Sequence, residues 1–586
     1  MQVLNLKSNH KPIREYYKTL QQLDKLGINH ELGIKGTFED ILKSCCSQLG
    51  WNYAAEQTVK INNNNIRPDG VIIRQDSLKH GYWEAKDNKD DLEREIKLKY
   101  SKGYPKNNIL FWQPKRIILY QNNKLVFDEK IDNAENLVQG VKLFFEHTQP
   151  EIEVWDQAAV EFGDKVKELA NGLLELIANQ KKTNKRFIDA FSNFMALCKQ
   201  AINPSLSESA VEEMLIQHLL TERIFRKLFN NPDFVKRNVI AVEIENVIDA
   251  LTSKSFNRDH FLQGVDYFYK ALENAASTIT EYSEKQDFLN TVYEKFFQGF
   301  AVKVADTHGI VYTPQPIVDF MVKSVDAILQ KEFGKSLSDK GVHILDPFVG
   351  TGNFIMRVMK EMRKTALPYK YEHELHCNEV MLLPYYLAAM NIEHEYFTAT
   401  GEYKPFEGIC FVDTFEIQKQ KQLDLFTPEN TARVKRQQES PIYVIMGNPP
   451  YNAYQVNEND NNKNRKYEEV DNRVKETYSK DSKATLKNAL SDPYVKAIRW
   501  ASDRIKEEGI IVFVSNNSFI SDIPFDGMRK HLSKDFDTIY VLDLGGNVRK
   551  NPKLSGTTHN VFGIQVGVSI NIFVKKKKSP VVNGGE

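Results

Sequence analysis

The chain has 586 residues, 78 Lys+Arg against 78 Asp+Glu, 41% hydrophobic residues and 11% aromatics. A single hydrophobic core does not grow to that length, so two to four domains are expected, with an ordinary folded composition rather than a disordered or fibrous one. Zero net charge leaves nucleic-acid binding open, because phosphate contacts need only a local basic face. The N-terminal Met1–Lys7 carries no long apolar stretch and no apolar run is long enough to span a bilayer, so a membrane role is not expected. The five cysteines (Cys45, Cys46, Cys198, Cys377 and Cys410) have neither metal-ligand spacing nor a disulfide pattern, and a reducing cytoplasm is the expected location.

Residues 1–150 mix helical and strand signals. A helix is expected over Phe38–Leu49, and strands over Gly70–Ile73, His80–Ala85 and Arg116–Gln121, with Asn122-Asn123 as a turn. Alternation is weak, which suits strands buried on both faces. Within this region Arg67-Pro68-Asp69-Gly70 precedes Glu84-Ala85-Lys86, Glu84 lying fifteen residues beyond Asp69. Asp69 falls at a strand start, and Glu84 and Lys86, two apart, share a strand face. Two carboxylates and a lysine meeting at one point make a place for Mg²⁺, with Lys86 steadying an attacking water or a scissile phosphate. Glu39, on the preceding helix, is a further candidate ligand or a partner for Lys86, and the Ala85 carbonyl is a further metal ligand.

Residues 151–300 are almost without proline, and apolar residues recur at helical spacing, as in Val166, Leu169, Ala170, Leu173 and Leu174. A helical connector is expected there.

From residue 301 to 578 the texture becomes α/β. Strands are expected at Val342–Leu345, Leu375–Asn378, Gly408–Phe411, Tyr443–Met446, Ile510–Val514 and Thr538–Leu542, separated by helix-length stretches. That is the pattern of an open, mostly parallel, Rossmann-like sheet. The first strand runs into Asp346-Pro347-Phe348-Val349-Gly350-Thr351-Gly352-Asn353-Phe354, a glycine turn feeding a helix. It has no Walker lysine and is not Gly-x-Gly-x-x-Gly. An acidic turn of this kind suits a nucleotide-like cofactor with a cationic amino-acid end. Glu379, after the second strand, is placed to accept from ribose hydroxyls, and Asp413, after the third, from an adenine amino group. Tyr312-Thr313-Pro314 starts a helix and is expected to cover the methionine-like end of that cofactor.

Asn448-Pro449-Pro450-Tyr451 follows the fourth strand. The Asn448 amide oxygen and the Pro449 carbonyl can accept both hydrogens of an exocyclic amine, the two prolines fix those acceptors, and Tyr451 offers a face for an extruded base. The amine then attacks an electrophilic sulfonium methyl directly, so no cysteine nucleophile is expected. The charged stretch Asn459–Ser482 reads as a loop leaving this site, and residues 579–586 as a tail.

Asp346–Phe354 together with Asn448–Tyr451 resembles the amino-methyltransferases of DNA, and Asn-Pro-Pro-Tyr is typical of the N6-adenine members. Asp471–Tyr478, Trp500–Arg504, Phe513–Phe519, Asp526–Arg529 and Leu544–Asn547 extend the likeness to single-chain restriction–modification enzymes of the type IIG and type ISP kind. The resemblance implies an N-terminal Mrr-like nuclease of the Pro-Asp…Glu-x-Lys superfamily with metal site Asp69, Glu84 and Lys86, then a helical coupler, then an adenine-specific DNA methyltransferase. It places S-adenosylmethionine on Asp346, Pro347, Gly350, Gly352, Phe354, Glu379, Asp413 and Asn448, and the target adenine of double-stranded DNA on Asn448–Tyr451. It implies DNA methylation together with Mg²⁺-dependent cleavage of unmodified DNA. Two departures stand out. No Walker loop lies between residues 150 and 300, so no translocase is expected. The chain also ends soon after Asn571–Val574, where relatives carry a large target-recognition domain, so a separate specificity subunit or a specificity-deficient, methyltransferase-only fragment is a further expectation. RNA or a protein glutamine is the alternative acceptor that Asn-Pro-Pro-Tyr allows.

Overall fold

The computed structural model describes residues 4–26, 31–61, 64–74, 78–148, 150–201, 206–228, 234–251, 258, 262–277, 279, 288, 292, 313–419, 428–450, 466–547 and 566–577. Contacts divide the chain into two compact units, residues 1–167 with 263–300, and residues 168–262 with 301–586.

In the first unit, helices α1 (Lys11–Lys25) and α2 (Glu31–Leu49) precede strands β1 (Asn52–Ala55), β2 (Val59–Ile61), β3 (Asn64–Ile66), β4 (Gly70–Ile73) and β5 (Lys79–Ala85). Helix α3 (Leu92–Ser101), strands β6 (Asn108–Gln113), β7 (Arg116–Gln121) and β8 (Lys124–Lys130), and helix α4 (Ala134–Glu146) follow. The main sheet has the order β1-β4-β5-β6-β7-β8, with β5 and β6 parallel and every other pair antiparallel. A parallel pair needs a crossover, and α3 supplies it. Its start is fixed by Asp91, whose side chain accepts from the Arg94 N–H at 3.1 Å.

The expected strands at 70–73 and 116–121 coincide with β4 and β7. The expected Asn122-Asn123 turn is there too, with φ of 48° and 64°, as a tight hairpin between right-twisted strands demands. Strands β6 and β8 were not anticipated. The sequence Asn108–Gln113 is apolar without alternation, because both of its faces are covered. Trp83, Ala85, Leu110 and Trp112 point into a core with α1, α2 and α4, while Tyr82, Ile109 and Phe111 pack with Leu92 and Ile96 of α3. Glu84 therefore faces the α3 side.

The helical run comprises α5 (Pro150–Thr183), α6 (Lys185–Ala201), α7 (Glu208–Leu228), α8 (Phe234–Arg237), α9 (Val239–Leu251) and α10 (Asp266–Ser277). In the second unit α11 (Gln315–Phe333) leads into β9 (His343–Asp346), α12 (Asn353–Glu361), α13 (Leu367–His373), β10 (Leu375–Glu379), α14 (Leu382–Thr400), β11 (Ile409–Phe411), α15 (Pro428–Glu439) and β12 (Ile442–Gly447). Helices α16 (Glu468–Val474) and α17 (Pro493–Arg504), strand β13 (Gly509–Asn516), helix α18 (Asp526–Asp535), and strands β14 (Thr538–Gly545) and β15 (Val568–Lys575) complete it.

The seven strands run β11-β10-β9-β12-β13-β15-β14; β9–β13 are mutually parallel, and β15 is antiparallel to both neighbours. This is the expected Rossmann-like α/β fold. The strand order reverses between β9 and β12, which opens a crevice at their carboxyl ends.

One expectation changes. The stretch expected as one loop from Asn459 to Ser482 lies partly outside the described residues, but Glu468–Val474 is helical and Lys475–Ser479 continues it as a π turn. Its charges sit on a helix whose Val470, Val474 and Tyr478 are buried. The expected strand at 538–542 coincides with β14, which is an exposed edge because β15 inserts between it and β13.

Phe38 is fully buried, stacked on Trp112 at 5.2 Å and tilted against Trp83 at 5.4 Å. Phe38→Ala removes the ring that joins α2 to the sheet and should cost about 3–5 kcal/mol. A lowered first thermal transition of the full chain, with earlier proteolysis inside residues 1–150, checks this.

Candidate functional site

The carboxyl end of β9 carries Asp346, which is completely buried. Its Oδ1 accepts from the Phe348 N–H at 3.0 Å, and its Oδ2 is buried without a hydrogen-bond partner. Burial pushes this carboxyl up to about 8, with Glu379 adding to the effect. The turn that follows needs glycine at two positions, Gly350 at φ +54° and Gly352 at φ +96°. A Cβ on Gly350 would meet nothing within 4 Å, so the space above the turn is open to a ligand. Across the reversal point, a Cβ on Gly447 would sit 2.6 Å from Asp346 Oδ1, which is why β12 ends in glycine.

Glu379 closes β10. It accepts from the N–H groups of Gly350 at 3.0 Å, Val380 at 2.9 Å and Met381 at 2.8 Å. Burial raises its carboxyl to about 7 despite those donors. Asp413 follows β11 and accepts from the Phe415 N–H at 3.0 Å and from the Tyr467 hydroxyl at 3.1 Å. A second layer ties the turns together. Thr414 Oγ1 donates to the Pro347 carbonyl at 2.6 Å, Asn378 Nδ2 donates to Thr414 at 3.1 Å, and Gln437 donates to Asn378 at 2.8 Å. Phe354, in the first turn of α12, is buried. The expected acidic residues thus stand at the ends of three adjacent strands, an arrangement that fits a cationic group and a sugar.

Asn448 follows β12, and its Nδ2 donates to Thr313 Oγ1 at 3.1 Å. Thr313 and Pro314 precede α11, with Pro314 as its cap and Pro316 in its first turn. Pro449 is buried and Pro450 half-buried. Tyr312 and Tyr451 lie outside the described residues. Tyr467, Phe415, Thr414 and Asn378 were missed; the first stands in a charged stretch that gave no sign of it, and the last two act only through other residues.

The N-terminal constellation is also brought together. Asp69 Oδ2 accepts from the Ala85 N–H at 2.9 Å, and Lys86 Nζ lies 3.9 Å from Glu84 and donates to the Ala85 carbonyl at 2.9 Å. Glu84 is buried, its Oε2 is 2.5 Å from Lys99 Nζ, and its Oε1 has no hydrogen-bond partner. Burial holds its carboxyl at about 7, against the pull of Lys99. Lys35 pairs with Asp69 at 3.4 Å and Glu56 at 2.7 Å. Glu39 pairs with Lys43 at 2.9 Å rather than with Lys86. Lys35 and Lys99 were missed, since each is one of two lysines on its helix and reads as a solvated charge. Among the described residues no group of three or more His, Cys, Asp or Glu forms a ready metal cage.

Asp346 and Glu379 bind their protons more tightly folded than unfolded. Their contribution to stability is therefore complete below the ordinary carboxylate range, and is lost as pH rises through about 7 to 8. The transition temperature of the second unit should fall over that window, and Asp346→Asn should flatten the fall. Calorimetry across pH, without ligand, measures both.

Residues 155–284 match the family described as the coupler domain of type ISP restriction-modification enzymes, and residues 284–487 the family described as N-6 DNA methylase. Among solved structures, the DrdV–DNA complex shares 38% identity at a TM-score of 0.69, over 96% of this chain and 56% of that one. The ATP-dependent type ISP enzyme LlaBIII bound to DNA shares 36% identity at 0.67, over 76% of this chain and 30% of that one. A nuclease-deletion mutant of the type ISP enzyme LlaGI, with a DNA substrate mimic, shares 29% identity at 0.66, over 85% and 45%. No curated protein matches. The chain spans little more than half the length of the first of these relatives. It carries a type ISP coupler segment joined to an N6-methyltransferase segment, in the α/β fold of those enzymes.

Proposed function

We propose that this chain is a restriction–modification protein that methylates N6 of adenine in double-stranded DNA and cleaves unmodified DNA. The observation that carries the first half is the set of buried acids Asp346, Glu379 and Asp413, at the ends of three adjacent strands next to Asn448. S-adenosylmethionine supplies the electrophilic methyl when bound. Asp346, with its buried Oδ2, fits the cationic amino-acid end, Glu379 the ribose and Asp413 the adenine. Thr313 takes the Asn448 Nδ2 proton donor, which turns Oδ1 to the accepting side of the amide. The Asn448 amide oxygen and the Pro449 carbonyl then hold the target amine with its lone pair toward the methyl, and Tyr451 stacks on the flipped base. Tyr312 covers the methionine end.

The second half rests on Asp69, Glu84 and Lys86 converging at the shared end of β4 and β5. A buried Glu84 oxygen without a donor, beside Asp69 and the Ala85 carbonyl, fits one Mg²⁺, an ion usually held by one or two carboxylates with waters. Lys86 is the group for the attacking water or the phosphate. All five cysteines are free and buried, and no helix among the described residues is long and apolar enough to cross a membrane, which suits a cytoplasmic enzyme on DNA. A separate specificity subunit is a further proposed partner.

The test is tritiated methyl incorporation and fragment formation, measured together on unmodified plasmid DNA with S-adenosylmethionine and Mg²⁺. RNA and a glutamine peptide serve as parallel acceptors. Asn448→Ala should reduce methyl transfer about 10²–10³-fold and spare cutting. Asp69→Ala should abolish cutting and spare methyl transfer. Incorporation into RNA or peptide but not DNA would overturn the DNA reading.

A further inference from the structure

Tyr467 opens helix α16 and reaches back to the carboxyl end of β11. Its hydroxyl donates to Asp413 Oδ2 at 3.1 Å, while Asp413 Oδ1 is held by the Phe415 N–H at 3.0 Å. Both carboxylate oxygens are thereby fixed in direction. The ring of Tyr467 stands edge-on to Phe415 at 4.9 Å, and Phe415 in turn is tilted against Phe348 at 5.6 Å. Phe415 is buried, and Phe348 and Tyr467 are half-buried at either side of it. Three rings therefore form a row beside the Asp346 turn.

Tyr467 is itself held from behind. Its backbone N–H donates to Asp471 Oδ2 at 2.8 Å, Lys496 Nζ lies 5.1 Å from its ring centroid, and Lys496 pairs with Asp471 at 2.7 Å. A tyrosine so anchored, with its one donor spent on a carboxylate, aims that carboxylate. Packing alone would be served equally by phenylalanine.

We propose that Tyr467 is a positioning residue of the adenine subsite of the cofactor, which rests on the methyltransferase reading above. Its hydroxyl fixes Asp413 as the acceptor for the exocyclic amine, and its ring extends the Phe348–Phe415 row against the purine. The consequence is selectivity. A 6-amino purine donates to Asp413, whereas a 6-oxo purine sets a carbonyl oxygen against it, so the site discriminates between them only while Asp413 is held in place.

The probes are S-adenosylhomocysteine and its 6-oxo counterpart, S-inosylhomocysteine, titrated calorimetrically into the full chain. Wild type should bind the adenosyl compound more tightly. Tyr467→Phe should weaken the adenosyl compound about five- to tenfold, leave the inosyl compound within twofold, and raise KM for S-adenosylmethionine with kcat unchanged. Phe415→Leu should weaken both compounds alike. Equal weakening of both by Tyr467→Phe, or no weakening, would overturn the proposal while leaving the cofactor reading intact. Failure of the wild type to bind either compound would instead sink the cofactor reading. Because Tyr467→Phe keeps the ring, its thermal transition should match wild type.

Discussion

The second unit depends on burying three carboxylates at the carboxyl ends of neighbouring parallel strands. Ionised carboxylates do not enter a protein interior unaided, because desolvation costs several kcal/mol each. Glu379 meets this with three backbone N–H donors, Asp413 with one N–H and one hydroxyl, and Asp346 with a single N–H. Asp346 has the fewest donors, and burial raises its carboxyl to about 8. The reversal of strand order between β9 and β12 opens the crevice, and Gly447 lets Asp346 lie against the neighbouring strand. Fold and electrostatics thus converge on one point, where a cation would supply the missing partner.

The helical segment is joined to this sheet by polar contacts as well as apolar ones. His218 of α7 is fully buried, with Nδ1 2.9 Å from the Tyr386 hydroxyl on α14 and Nε2 2.8 Å from Glu245 on α9. Arg258 bridges Glu245 and Glu222 at about 3 Å. Burial opposes the charge of Glu245, and His218 and Arg258 outweigh it, bringing its carboxyl down to about 2. Such a network fixes one arrangement of α7, α9 and α14, because an apolar slip by one turn would leave buried charges unmatched. The helix-spacing pattern of residues 151–300 signals helices but not this specificity, since it marks only which faces are apolar.

Much of the architecture was legible because it is written in local chemistry. The Asp346 turn, the Asn448 turn and the Asn122-Asn123 hairpin announce themselves through residues whose backbone demands are narrow. Strand β6 was not legible, because a strand covered on both faces loses the alternation that marks it, and β15 was not placed because its position depends on pairing with distant β13 and β14. Tyr467 escaped for a different reason. It lies 54 residues from Asp413 in sequence, among Lys, Glu and Asp that read as solvated, and only the folding of α16 onto the sheet brings it there. Glu39 shows the converse: its type and place suited a metal site, but a lysine four residues along its own helix is nearer.

The two carboxylate sites are built on opposite principles, and the contrast bears on what each can hold. At Asp69 and Glu84 the counter-charges are lysines, Lys35, Lys86 and Lys99, all within 4 Å of a carboxylate. At Asp346 and Glu379 the donors are backbone N–H groups, and Asp413 accepts from the Phe415 N–H and the Tyr467 hydroxyl. A polyanion brought to the first site meets lysines beside the acids, while the second offers the buried Asp346 Oδ2 that lacks a donor. The 78 basic and 78 acidic residues cancel over the chain, but the cancellation is not local, and it is the local balance that selects the ligand.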